Sequence, residues 1–134
     1  MSWFSKLFKK EVILAPASLD LLKTDLHSHL IPAIDDGSAS LEDSINMIRT
    51  FKEMGYRKII TTPHVMSDFY KNTPETILGG LEDVKQELQR LNIDIEIEAA
   101  AEYYLDETLE QQVKEGKLLT FGKNCLLFEL PFVT

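Results

Sequence analysis

Short apolar segments alternate with amphipathic helical stripes along the chain, and this order constrains the fold more than any other feature. Four segments are predicted as strands because they are apolar, β-branched or alternating: 21–26, 57–62, 93–100 and 125–130. Helices are predicted between them: 40–54, 73–91 and 106–115. Strands that alternate with helices form βαβ units. The sequence therefore predicts an α/β protein of parallel βα repeats.

The starts of the first two helices carry chemical signals. Ser40 with Asp43 resembles a capping pair, and residues 73–75, Thr-Pro-Glu, form a strong helix start. Gly79 and Gly80 lie inside the second helix and weaken that prediction locally.

Composition restricts the classes of function. The chain has 134 residues, of which 44% are hydrophobic and 27% charged, as in a single globular domain. Its net charge of −8 argues against a nucleic-acid partner, which needs a basic face. A phosphorylated substrate stays possible if bound metal supplies positive charge. No apolar run approaches the ~18 residues of a membrane-spanning helix, so no membrane span is expected.

The two ends of the chain differ from the rest. Residues 1–10 combine apolar residues at helical spacing with three lysines. This pattern fits a segment packed on the domain or on a neighbouring subunit, or an amphipathic helix at a membrane surface. We expect residues 1–20 to be an N-terminal extension and residues 21–134 to be the front part of a larger domain, because the sequence stops just after an apolar strand. An uncovered strand edge there predicts association into a homo-oligomer, domain swapping, or further residues in the biological protein.

The single cysteine, Cys125, excludes a disulfide within the chain and suits a reducing compartment. The strand at 125–130 is apolar enough to be buried on both faces, so we expect Cys125 to be buried in it. A cysteine-based tyrosine phosphatase loop, C-x5-R, would need arginine at position 131, where the chain has Pro131.

All three histidines follow predicted strands. His27 and His29 form an H-x-H pair, whose side chains point the same way in an extended segment and can hold one metal ion. His64 follows the second strand directly after Pro63. Neutral imidazole is a good ligand for Zn, Fe or Mn. A bare H-x-H also occurs as a surface pair, so the metal prediction depends on the position that the three histidines share.

Acidic residues lie at the same strand ends. Asp35 and Asp36 precede Gly37, a pattern that also fits a plain turn, and spacing does not decide which acid would bind metal. Glu102 follows three alanines and is predicted to be shielded from water, unless it points out at a loop. Glu129 is a lone acid in an apolar strand and needs a cation partner, either a metal or a distant Lys or Arg. Since the carboxyl ends of parallel strands form one face, we expect these groups to converge there.

Together these residues resemble the PHP (polymerase and histidinol phosphatase) superfamily. Within it they are most similar to the bacterial manganese-dependent tyrosine phosphatases of capsular and exopolysaccharide loci, the CpsB/YwqE-like group. The matching stretches run from about residue 23 to the end of the chain: Asp25-Leu26-His27-Ser28-His29, Asp35-Asp36-Gly37, Thr62-Pro63-His64, Ala101-Glu102-Tyr103-Tyr104 and Phe128-Glu129. The resemblance implies the N-terminal part of a distorted, TIM-like (β/α)7 barrel that carries up to three metal ions.

The resemblance also implies roles for single residues. Asp25 would orient a ligand histidine, and in the double acid the second residue, Asp36, would be the ligand. The ions would be Mn2+, with Fe or Zn as alternatives. The family also has a later histidine, a further Asp-x-His pair and a phosphate-binding arginine, and none of these can be assigned in this sequence. The implied metal ligands and catalytic residues are His27, His29, Asp36, His64, Glu102 and Glu129.

The activity implied by the resemblance is hydrolysis of phosphotyrosine on a protein, a bacterial tyrosine autokinase, by a cytoplasmic enzyme of capsule or exopolysaccharide synthesis. Water activated by metal ions would attack phosphorus directly. Two alternatives remain. The chain could belong to another PHP phosphoesterase that acts on a small ester such as histidinol phosphate, or it could be an inactive metal-binding fragment.

Overall fold

The computed structural model describes residues 21–131, and the segments predicted within residues 1–20 lie outside this range. Helices and strands alternate largely as predicted, and every pair of neighbouring strands is parallel. The elements are β1 (Thr24–Asp25), α1 (Leu41–Glu53), β2 (Lys58–Thr61), β3 (His64–Val65), α2 (Pro74–Arg90), β4 (Glu96–Ala99), β5 (Glu102–Tyr104), α3 (Leu109–Glu115) and β6 (Leu127–Glu129).

The strands form two small sheets, with the orders β1-β2-β4 and β3-β5-β6. The short strands β3 and β5 were not predicted from the sequence. They follow β2 and β4 after brief interruptions, the first of which contains Pro63. Proline has no N–H to donate, so it interrupts the ladder. Its carbonyl still accepts a hydrogen bond from Glu102 N (3.0 Å), and the chains continue side by side past the break.

Helix α1 begins as predicted. Asp43 N donates to Ser40 Oγ (3.1 Å), and the Asp43 carboxylate accepts from Ala39 N (3.1 Å). This reciprocal arrangement satisfies two N–H groups that the first helical turn would leave unpaired. The helix ends before Gly55, which adopts the left-handed conformation (φ 97°) that glycine tolerates best.

Helix α2 also begins as predicted, with a capping box. Thr76 N donates to Thr73 Oγ1 (3.3 Å), Thr73 N donates to Thr76 Oγ1 (2.9 Å), and Pro74 occupies the first turn. Gly79 and Gly80 do not interrupt the helix. A Cβ at Gly80 would overlap the methyl Cγ2 of the fully buried Ile31, so the missing side chain lets α2 lie against the loop after β1.

Apolar side chains from the first sheet, the loop after β1 and helices α1 and α2 form the main core, and a smaller core lies beside the second sheet. These cores hold the ends of the strands at fixed positions. The main core contains Leu30, Ile31, Ile45, Ile48, Ile59, Leu81, Val84, Leu88 and Ile97. The smaller core contains Val65, Ile77, Ala101, Tyr103 and Leu109. Among the described residues, no helix is both long and apolar enough to cross a membrane.

The last predicted strand is shorter and more exposed than expected. β6 lies at the edge of its sheet, Phe128 is 50% exposed, and Cys125 is exposed in the turn before the strand. The predictions that the run at 125–130 is buried on both faces and that Cys125 is buried were therefore wrong for residues 21–131. An apolar strand is buried only when other elements cover it, and in this range half of Phe128 has no cover.

Asp106 connects the loop after β3 to the start of α3. Its carboxylate accepts from Ser67 N (3.0 Å), Thr108 N (2.8 Å) and Thr108 Oγ1 (2.6 Å). Partial burial raises the pKa of Asp106, but the hydrogen bonds from Thr108 and Ser67 outweigh it and lower the pKa to about 2, from an ordinary 3.8.

We predict that Gly80→Ala lowers the free energy of unfolding by about 1–3 kcal/mol, because Ile31 is β-branched and buried and cannot move aside freely. The matched control is Gly79→Ala, where a Cβ meets open space. That variant should be neutral or more stable by about 0.5–1 kcal/mol, since alanine favours a helix. Urea denaturation of the 134-residue chain measures both, and equal effects at the two positions would contradict the packing argument.

We predict that Asp106→Asn destabilises the chain by about 1–2 kcal/mol at neutral pH, a value reduced for partial solvent screening. A carboxyl group whose pKa falls on folding stabilises the protein above its unfolded pKa of 3.8 and loses that contribution as pH falls through about 2. The difference between wild type and Asp106→Asn should therefore shrink between pH 5 and about pH 2. Urea denaturation at several pH values tests this, and a difference that does not depend on pH would refute it.

Candidate metal centre

His27 and His29 follow β1 and present the same ring nitrogen to one cleft. Nδ1 of His27 lies 2.7 Å from Thr62 Oγ1, and Nδ1 of His29 lies 2.9 Å from Asp35 Oδ2. The Nδ1 atom of each ring is thus held by an oxygen, which leaves Nε2 free to face the cleft. This is the usual arrangement of histidines that bind metal through Nε2.

Glu102 lies at the centre of the cleft. It is 8% exposed and is the register partner of His64, because β5 pairs with β3. Its Oε2 lies 3.3 Å from both His29 Nε2 and His64 Nε2, and its Oε1 lies 3.8 Å from His27 Nε2. Three imidazole nitrogens therefore lie around one buried carboxylate. The prediction that Glu102 is shielded from water is confirmed.

The two neighbouring acids differ in environment. The Asp35 side chain is fully buried and also accepts from His64 N (2.9 Å) and Gly37 N (3.0 Å). Asp36 is 62% exposed, and its Oδ1 lies 3.2 Å from His64 Nδ1. A Cβ on Gly37 would overlap the Cβ and the carbonyl oxygen of His29, so glycine lets this turn close against the histidine. Asp35 thus holds the loop, and Asp36 keeps its oxygens free.

Glu129 reaches the same cleft from β6, which lies beside β5. Its Oε2 lies 3.4 Å from His64 Nε2. In the described part of the chain no lysine or arginine pairs with Glu129, so a distant basic residue does not supply its cation there.

The cleft is strongly negative. Its volume is about 400 Å³, and no lysine or arginine among the described residues lines it. Burial lowers the pKa of His29, but the hydrogen bond to Asp35 and the charges of Asp35, Glu102 and Asp36 outweigh it, so the pKa is raised. Burial raises the pKa of Asp35, but hydrogen bonds from His29, His64 and Gly37 outweigh it and lower the pKa. The surroundings therefore favour positive charge at this position.

The donors fit divalent cations. His64 Nδ1 is buried without a hydrogen bond although Asp36 is close, so it is a polar atom that lacks a partner. Mixed imidazole and carboxylate donors suit Mn, Fe or Zn. Three groups offer ligand atoms that all lie within 4.8 Å of one another: His29, Asp35, Asp36 and His64; His27, His29 and Glu102; and His64, Glu102 and Glu129.

The structure brings all six predicted ligands to this cleft, but it does not place Asp25 as expected. Within residues 21–131 Asp25 makes no hydrogen bond to a histidine, and its Oδ2 is buried without a partner. Thr62 and Asp35 hold the rings of His27 and His29 instead. Asp25 precedes His27 by two residues, but sequence proximity does not decide which oxygen a ring nitrogen reaches.

Sequence reasoning missed two residues that hold His64. Asn72 Nδ2 donates to the carbonyls of His64 (2.8 Å) and Ile34 (3.0 Å), and so joins β3 to the loop of the double acid. The ring of Tyr70 stacks on His64 with centroids 5.5 Å apart. No pattern in the sequence distinguishes Asn72 or Tyr70 from ordinary loop residues.

The fold and the cleft define a protein of parallel βα repeats with a cluster of histidines and carboxylates at its strand ends. Comparison with known families makes this more specific. Residues 23–132 match the model of the family described as capsular polysaccharide synthesis, CpsB/CapC, and the chain belongs to that family.

Individual relatives agree with this assignment. The chain is 32% identical over 109 residues to the tyrosine-protein phosphatase YwqE of Bacillus subtilis, and this match covers 81% of this chain and 43% of YwqE. It is 30% identical over 98 residues to the tyrosine-protein phosphatase CpsB of Streptococcus agalactiae, and this match covers 73% of this chain and 40% of CpsB. The chain therefore spans less than half the length of these relatives.

Solved structures give the same result. The fold matches a crystal structure from the work on YwqE of Bacillus subtilis and CpsB of Streptococcus pneumoniae, described as unique metal-dependent tyrosine phosphatases. The TM-score is 0.73 at 32% identity, over 81% of this chain and 44% of the other. The expected relation to the CpsB/YwqE-like group and the parallel α/β fold class are confirmed.

We predict that the two acids respond differently to loss of charge. Asp35→Asn should lower the free energy of unfolding of the metal-free chain by about 1–3 kcal/mol. The single oxygen of an amide cannot accept hydrogen bonds from His29, His64 and Gly37 together. Asp36→Asn, the matched control, should change it by less than about 0.5 kcal/mol, because Asp36 is largely exposed. Chemical denaturation in the presence of a chelator measures both. Similar losses for the two variants would show that Asp35 does not hold the loop.

Proposed function

We propose that this chain carries metal ligands of a metal-dependent phosphatase that hydrolyses phosphotyrosine on proteins during capsular or exopolysaccharide synthesis. The observation that carries the proposal is the buried Glu102 carboxylate, with Nε2 of all three histidines around it in a cleft rich in carboxylates. The family match and the names of YwqE and CpsB support the class of reaction.

The side chains of the cleft would have different roles in the reaction. A divalent cation supplies Lewis acidity, which lowers the pKa of water and offsets the charge of phosphate oxygens. Asp35 would keep the ring of His29 in place through Nδ1. The half-exposed ring of His27 and the exposed carboxylate of Asp36 leave the cleft accessible to a phosphate on a protein surface. The residues proposed to hold the cations, and so to act in catalysis, are His27, His29, Asp36, His64, Glu102 and Glu129.

This proposal needs no cysteine nucleophile. Cys125 is exposed and is not among the residues that line the cleft. Position 131 is proline, so the arginine of a C-x5-R loop is missing there. Direct attack by water on phosphorus is the chemistry that the donors of the cleft can serve.

We propose Mn2+ as the cation, with Fe or Zn as alternatives, and a bacterial tyrosine autokinase in the cytoplasm as the substrate. These details rest on the resemblance of the motifs to the manganese-dependent group. We also propose that residues 21–134 belong to one domain, and the family match over 23–132 supports this. The exposed Phe128 and Leu130 at the edge strand β6 support a homo-oligomer.

We predict that the chain binds Mn2+ and that Glu102→Gln weakens this binding more than about 100-fold, beyond the 10–100-fold typical of residues around a ligand. The control is Glu98→Gln on β4, since Glu98 is exposed and pairs with Lys58 away from the cleft. Isothermal titration of the chelator-treated chain measures both. If Glu102→Gln bound Mn2+ as wild type does, the metal centre would be misplaced.

The same preparation tests the reaction. Mn2+-dependent release of phosphate from a phosphotyrosine peptide, abolished by chelator and by Glu102→Gln, is the expected result. Faster hydrolysis of histidinol phosphate would contradict the proposed substrate. Binding of Mn2+ without any release of phosphate would show that this chain is a metal-binding piece without activity of its own.

A further inference from the structure

We propose that Thr62 is a positioning residue for metal binding: its hydroxyl holds Nδ1 of His27 and turns Nε2 of that ring towards Glu102. This inference rests on the proposed metal centre and assigns a role to a side chain that the ligand set leaves out. Thr62 lies in the interruption between β2 and β3 and is fully buried.

His27 needs such a contact more than the other two histidines. Its side chain is 53% exposed, whereas those of His29 and His64 are largely buried. The distance from His27 Nε2 to Glu102 Oε1, 3.8 Å, is too long for a hydrogen bond. The contact of Nδ1 with Thr62 Oγ1 at 2.7 Å is therefore the hydrogen bond that orients this ring among residues 21–131.

The chemistry of imidazole explains why this contact matters. A neutral ring has one protonated and one free nitrogen, and only the free nitrogen can bind a cation. When Nε2 is the ligand, Nδ1 carries the proton and its N–H group donates a hydrogen bond to an oxygen. Thr62 supplies that oxygen for His27, as Asp35 does for His29. The half-exposed ring is thus held by a neutral hydroxyl, and the buried ring by a carboxylate.

The backbone around His27 does not depend on the Thr62 hydroxyl. Thr62 N donates to Ser28 O (2.7 Å), and the neighbouring Thr61 Oγ1 donates to the same carbonyl (2.8 Å) and accepts from Leu30 N (2.9 Å). Thr62→Val keeps these backbone contacts and replaces the hydroxyl with a methyl group, which cannot form the hydrogen bond. A methyl carbon cannot lie as close to Nδ1 as the 2.7 Å of the hydroxyl oxygen, so Thr62→Ala, which removes the hydroxyl and adds no group in its place, is needed beside it.

The experiment compares Thr62→Val with Thr62→Ser in the 134-residue chain, and uses Thr62→Ala as a second variant without the hydroxyl. Isothermal titration with Mn2+ should show affinity about 10-fold weaker for valine and alanine, within the 10–100-fold range for residues that support a ligand. Serine keeps the hydroxyl and should restore most of the affinity. Urea denaturation without metal reports on the fold separately.

A spectroscopic measurement distinguishes positioning from general support of the fold. With Zn2+, which is diamagnetic, NMR of 15N-histidine-labelled chain should show a slowly exchanging Nδ1 proton on His27 in wild type and in Thr62→Ser. That signal should exchange rapidly with water or vanish in Thr62→Val. His27→Ala, which lacks the ring, identifies the signal.

Three results would overturn the proposal. If Thr62→Val bound Mn2+ as wild type does while His27→Ala did not, the metal centre would stand and Thr62 would not position the ring. If Thr62→Ser lost as much affinity as Thr62→Val, in step with stability, the role would be structural. If His27→Ala bound Mn2+ as wild type does, or wild type bound none, the metal centre itself would fail, and this role of Thr62 with it.

Discussion

The arrangement of this cleft depends on a buried carboxylate, Glu102, that faces three imidazole rings. Removing a charge from water is costly unless a partner of opposite charge compensates it. In the metal-free chain, burial lowers the pKa of His29, but the hydrogen bond and charge of Asp35, with smaller contributions from Glu102 and Asp36, outweigh it and raise the pKa. The parallel register of β3 and β5 places His64 directly beside Glu102. The same negative field that favours protonated histidine also attracts a divalent cation.

Each histidine is held by a different device. A threonine hydroxyl holds His27 and a buried carboxylate holds His29. The side chains of Asp35 and Asn72 hold the backbone of His64. These contacts come from three separate stretches of the chain. Ligands that are oriented before the cation arrives lose less conformational entropy on binding, which raises affinity.

At two places the chain packs closely against another segment, and in both the residue at the contact is glycine. Gly37 closes the loop of the double acid against His29, and Gly80 lets α2 pack on Ile31 just after the H-x-H pair. Gly37 was interpreted from the sequence only as a turn residue, and Gly80 only as a weak point in a helix. Each glycine faces a residue from another segment, His29 or Ile31, and only packing brings the two together. The sequence pattern therefore could not reveal why a side chain is excluded at these positions.

The sequence by itself determined the alternation of strands and helices and the helix caps at Ser40 and Thr73, because periodicity and capping are local. It also determined that the histidines and acids at the strand ends converge, because the carboxyl ends of parallel strands form one face. It did not determine which acid of the pair is free, that Thr62 rather than Asp25 contacts a ring, or that two short interruptions divide the strands into two sheets. Nor did it determine that Cys125 and Phe128 are exposed. Those features depend on distances between segments far apart in the chain, which only packing decides.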